Sequence, residues 1–184
     1  MKVVPLRLQP GADMRRVLEA WMAEQQEQAA CLISAVGSLS VAQLRLAGAT
    51  QATAIHGELE ILSLSGTLSP DGAHLHIAVA DRQGSVIGGH LCVGSLVRTT
   101  AELVIGLLPE WRFNRELDPA TGYAELAIKA QPERQSPAGS PADPVVAAGW
   151  LDPAAGMQAA PPGRRTCATA QGTEPPDHSA TQAG

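Results

Sequence analysis

One alternating apolar run, a short polar break and a second such run limit most strongly what this chain can fold into. In "AHLHIAVADRQGSVIGGHLCVG" (residues 73–94), Leu75, Ile77 and Val79 alternate with His74, His76 and Ala78. Side chains two apart on an extended strand share a face, so the aliphatic set enters one layer and the two histidines leave on the other. "DRQGS" then reads as a loop that returns the chain antiparallel, since a break this short holds no crossover helix. If the loop has five residues, Ala80 pairs with Val86 and His76 faces His90. If it has four, His90 falls on the other face unless a bulge at Gly88 and Gly89 restores it, glycine tolerating the dihedrals a bulge imposes.

The same punctuated pattern fills most of residues 1–130. "CLISAVGSLSVAQLRLA", "LEILSLSGTLS", "AELVIGLL" and "YAELAIK" join the two runs above as strand candidates, most of them bounded by Gly, Asp, Pro or Asn. One helix is expected. "DMRRVLEAWMAEQQEQ" places Met14, Val17, Leu18, Trp21 and Met22 at amphipathic spacing, and Asp13 is a fitting N-cap. The expected fold is α+β (loosely α/β): one antiparallel, partly closed sheet with the N-terminal helix packed on a face. From residue 131 to residue 184, Ala, Pro and Gly make up half of the chain, and aliphatic residues are scarce after Val146. A segment so poor in large apolar groups cannot offset its ordering entropy, so a disordered tail is expected there.

Charge narrows the function classes. The net charge is −5 and the only lysines are Lys2 and Lys129, a poor balance for gripping phosphate backbones unaided. Cys31, Cys92 and Cys167 are widely spaced with no CxxC, so neither a disulfide framework nor a cysteine zinc site is indicated. "MKVVPLRLQPG" lacks the apolar core of a signal peptide, and no uncharged apolar run nears the ~20 residues that span a bilayer. The expected compartment is the cytoplasm.

No phosphate loop, nucleophile elbow or HExxH stands in the sequence. The histidines carry the chemistry instead. On one face of a strand, His74 and His76 sit ~6 to 7 Å apart at Cβ, close enough for both imidazoles to meet one cation. With His90 they form a three-imidazole set with an open fourth position, as in a reactive or substrate-binding zinc site. The alternative is three separate polar or hydrogen-bonded histidines. Cys92 shares the parity of His90 but reads better as a small buried hydrophobe. Glu58 and Glu60, with His56 on the same strand, suit acid–base work or simply a solvated face.

The order of these blocks resembles the PPC (plants and prokaryotes conserved) domain over about residues 2–129. The blocks are "CLISAVGSLSVAQLRLA", then "GELEILSLSGTLSPDGAHLHIAVADRQGSVIGGHLCVGSLVRTTAELVIG", with "LDPATGYAEL" fitting the prokaryotic branch. Plant members carry AT-hook segments ahead of the domain. No R-G-R-P hook is found here, so the resemblance is to the prokaryotic stand-alone branch, often labelled DNA-binding. It implies a homotrimer, and it implies that His74, His76 and His90 match a prokaryotic metal-site pattern.

The leading expectation is a homotrimeric binding or regulatory protein that holds Zn2+, or another divalent metal, on His74, His76 and His90. Gly88 and Gly89 would let the backbone bring His90 to the strand pair. A second possibility is a DNA-associated module contacting nucleic acid or a protein partner through Arg98, Arg112 and Arg115. A third is an enzyme using the open zinc position.

Overall fold

Asp13 starts the only helix among the described residues, as expected, its carboxylate accepting from the Arg16 amide at 3.2 Å. The helix α1 (Met14–Glu24) buries Met14, Leu18, Trp21 and Met22. The structure is a computed structural model and describes residues 1–131. The expected tail, with Cys167, lies outside the described residues apart from Gln131. Among the described residues, no helix is long and apolar enough to cross a membrane.

Everything else regular among the described residues is strand, so the domain is strand-dominated rather than evenly α+β. The strands are β1 (Lys2–Leu8), β2 (Ala30–Arg45), β3 (Thr53–Ser69), β4 (Gly72–Ala80), β5 (Val86–Leu91), β6 (Leu96–Leu107), β7 (Trp111–Leu117) and β8 (Ala124–Ala130). Six form one antiparallel sheet in the order β1-β6-β2-β3-β4-β5, while β7 and β8 form a separate hairpin. Strand β5 also returns to β2, with Leu44 opposite Leu91 and Arg45 opposite His90, so four strands curl into a closed turn of sheet. Two strands had no counterpart among the sequence candidates. Pro5 argues against a ladder strand, yet β1 is an edge strand, where a missing amide is tolerated. Charged and amide side chains blur the alternation of β7, "WRFNREL".

Long strands need places to bend and to approach one another. Gly66 on β3 has φ +139°, and a Cβ there would lie 1.9 Å from the carbonyl oxygen of His74. Only glycine lets β3 close against β4 at that level. Leu39, Leu44, Leu59, Leu75, Val79, Leu91 and Ile105 share one buried core with the helix residues, each at most 1% exposed. Each such aliphatic contributes about 1.5–3 kcal/mol by leaving water.

Candidate metal centre

The hairpin of β4 and β5 is set by its loop. The Asp81 carboxylate accepts from the amides of Gln83 and Ser85, both at 2.9 Å, while the Asp81 amide donates to the Ser85 carbonyl at 3.0 Å. Gly84, at φ +81°, completes the turn. The loop therefore holds the five residues Asp81–Ser85, Ala80 pairs with Val86, and His76 is the partner of His90. The ladder runs without a shift, so Gly88 and Gly89 form no bulge. Their role is close approach: a Cβ at Gly88 would meet the Ile77 oxygen at 2.8 Å, and one at Gly89 the Arg45 oxygen at 2.8 Å.

Alternation does the rest. Leu75, Ile77 and Val79 are buried, and the histidines take the other face. Nε2 of His76 and Nε2 of His74 are 3.3 Å apart. Two nitrogens bound at about 2.0–2.1 Å to a tetrahedral ion stand about 3.3–3.4 Å apart. The ring centroids of His76 and His90 are 4.3 Å apart, and one ligand atom from each of the three residues lies within 4.8 Å of the others. An all-imidazole set suits zinc, copper, iron or nickel rather than calcium or magnesium.

Protonation favours ligation. Burial first, then the Arg115 guanidinium, His76 and His90, push the His74 imidazole down to about 4, with Glu125 acting the other way. Burial, then Arg45 and His76, likewise hold His90 below its ordinary value, partly offset by a hydrogen bond with the Arg45 backbone. Neutral imidazole is the form that binds metal.

Helix α1 braces this hairpin through one side chain. Arg15 donates to the Leu91 carbonyl at 2.8 Å and the Ala73 carbonyl at 2.9 Å, and pairs with Glu19 at 2.9 Å. It thus ties the start of β4 and the end of β5 to the helix.

The remaining sequence candidates lie elsewhere or play other parts. Cys92 is buried, and no cysteine or carboxylate belongs to the ligand group among the described residues. Glu58 is ion-paired with Arg98 and with Arg82, which occupies both ends of its carboxylate. Glu60 pairs with Ala80 and Ser38, and His56 lies on β3 opposite Val41. Arg98 belongs to β6 in the large sheet, whereas Arg112 and Arg115 belong to β7 in the separate hairpin. Only Arg115 reaches the histidines. It lines a cleft of about 240 Å³ with Ser65, Thr67, His74, His76 and Leu126. Sequence reasoning did not place Ser65, Thr67 or Leu126 there. Ser65 pairs with His76 and Thr67 with His74, a relation that parity on β3 would show once its register is known.

A strand-dominated domain with three convergent imidazoles on one hairpin is the class of protein that fold and site define. The chain belongs to the Plants and Prokaryotes Conserved (PCC) domain family, whose model matches residues 1–109. It is 52% identical over 143 residues to the bifunctional protein GlmU of Synechococcus sp. (strain JA-3-3Ab), a match covering 78% of this chain but 23% of that protein. The chain therefore spans less than a quarter of that curated relative. Among solved structures it is similar to a hypothetical protein from Salmonella enterica, at 42% identity and a TM-score of 0.69, covering 71% of this chain and 94% of that one. It is also similar to a metal-containing protein from Archaeoglobus fulgidus, at 29% identity and a TM-score of 0.57, covering 69% of this chain and 94% of the other.

Proposed function

We propose that this PCC-family chain is a metal-dependent binding module that holds one divalent ion, zinc in the first place, on His74, His76 and His90. The observation that carries this is the 3.3 Å separation of the His74 and His76 Nε2 atoms, with His90 directly across the ladder. The similarity to a metal-containing protein from Archaeoglobus fulgidus supports the same reading. Binding is favoured over catalysis because no carboxylate joins the ligand group among the described residues, and Glu58 is already ion-paired. A homotrimer fits the apolar surface that β1 and β2 leave uncovered at Val3, Ile33 and Val36. Duplex DNA is not favoured as a ligand, with a net charge of −5 and Arg98 paired to Glu58. The similarity to part of a longer protein suits a module that works beside another activity.

Elemental analysis of the purified full chain beside a His76→Ala variant tests this. Close to one ion per chain in the parent and none in the variant is the expected result. Metal in neither, or equal metal in both, overturns it. Sedimentation equilibrium on the same samples gives the subunit count.

A further inference from the structure

The cleft beside the histidines has a mixed lining. Its lining combines one cation, Arg115, two hydroxyls, Ser65 and Thr67, and one aliphatic side chain, Leu126, with His74 and His76 at one end. Arg115 and Leu126 are partners across the β7–β8 ladder. The hairpin is held over the site through Asp71, whose carboxylate accepts from the Arg115 amide at 3.0 Å and from the Asn114 side chain at 3.2 Å. That carboxylate is thus engaged by the backbone and the amide, leaving the guanidinium to face the cleft. Among the described residues the Arg115 guanidinium makes no ion pair, and its hydrogen bond to Thr67 Oγ1 is long, at 3.5 Å.

Positive charge outweighs negative around the site, with Glu125 and Asp71 acting against it. Arg115 acts on His74, and Arg45 and Arg15 act on His90. Arg15 is compensated by Glu19, but Arg45 is in no ion pair among the described residues. Glu125 is the carboxylate whose field reaches both His74 and Arg115, and it pairs with neither. A divalent ion adds two more positive charges, and three imidazoles leave one tetrahedral position for an outside ligand. A planar guanidinium matches a carboxylate in a two-point contact. Leu126 offers surface that an organic acid covers and inorganic phosphate does not.

We propose that this cleft binds a small organic carboxylate, with Arg115 as its counter-charge, the two hydroxyls as hydrogen-bond partners and Leu126 against its apolar body. The proposal rests on the metal-centre reading, because the three-histidine ion completes the charge that calls for an anion.

Cobalt(II) loading of the full chain gives a visible spectrum sensitive to a fourth ligand, and calorimetry gives affinity independently. Propionate is expected to bind and to shift the cobalt bands. Arg115→Gln is expected to weaken propionate at least tenfold while cobalt uptake stays as in the parent. Leu126→Glu, which places a carboxylate opposite Arg115, is expected to abolish propionate binding, and it serves where the first variant alters folding. Equal propionate affinity in the parent and both variants overturns the proposal, as does tighter binding of inorganic phosphate than of propionate. If the parent takes up no cobalt, the metal-centre reading fails by itself. Calorimetry on the metal-free chain then decides: propionate binding that depends on Arg115 supports the pocket, and its absence overturns it.

Discussion

His76 and His90 are partners across the β4–β5 ladder, with ring centroids 4.3 Å apart, while His74 reaches His76 from two residues away on the same strand. Each imidazole is therefore placed by backbone register and not by a flexible loop. On the metal-centre reading, replacing one leaves two imidazoles, and among the described residues no cysteine or carboxylate joins their group. For His90→Ala, zinc affinity is expected to fall by more than the 10–100-fold typical of an outer-shell partner. Competition against a chromophoric chelator measures it, and a loss under tenfold would remove His90 from the ligand set.

Acid is expected to destabilise the metal-free protein through these rings. His74 sits at about 4 in the folded chain against an ordinary value of 6.5, and His90 is moved in the same direction. As pH falls, the unfolded chain takes up the proton first. The stability contributed by keeping the rings neutral is thus complete above about pH 6.5 and is lost as pH falls towards about 4. Urea midpoints of the metal-free chain should fall between about pH 7 and about pH 5 by more than in a His74→Gln variant. Equal shifts in the two proteins would assign the acid sensitivity to other groups.

Gly66 and Gly84 both have positive φ, +139° and +81°, yet only one of them is crowded. A Cβ at Gly66 would sit 1.9 Å from the His74 oxygen, and one at Gly84 would meet nothing within 4 Å. Gly66→Ala should therefore cost about 3 kcal/mol or more and reduce metal binding, because β3 must part from β4 at His74. Gly84→Ala should cost about 1–2 kcal/mol, the left-handed penalty alone. Urea denaturation of both variants checks the ranking, and its reversal would refute the packing account.

Arg15 offers a separate handle on the site. Its two bonds to the carbonyls of Ala73 and Leu91 are charge-assisted and partly buried, the side chain being 19% exposed. Arg15→Met is expected to destabilise the fold by about 2–3 kcal/mol, since it leaves both carbonyls without this donor. Zinc affinity should change less than tenfold, because the ladder between His76 and His90 remains. Thermal melting with a parallel zinc titration separates the two effects.

The histidine hairpin was legible in sequence for a physical reason. Period-two alternation assigns the faces of Leu75, Ile77, His74 and His76, and of the two loop lengths the sequence allows, the five-residue one puts His76 opposite His90. These are local facts, decided within eighteen residues. Arg115 was visible as a cation, but its place beside His74 depends on Asp71 holding a distant hairpin, and no spacing reports that. In the sequence Gly88 and Gly89 offer a bulge only if the loop has four residues; with the observed five, they supply instead the absence of a Cβ at two strand crossings. Strand β1 was hidden by Pro5, whose missing amide is harmless only because the strand lies at an edge.

All three imidazoles come from one hairpin, closed by Asp81–Ser85. Little chain entropy opposes so local a contact, and isolated hairpins close in about 1–10 μs. The pairings of β1 with β6 and of β2 with β6 join segments far apart in the chain and form more slowly. On the metal-centre reading, a cation in the medium would therefore meet three histidines already brought near one another on a chain that is still assembling. Metal supply during synthesis would then bear on how quickly the protein matures.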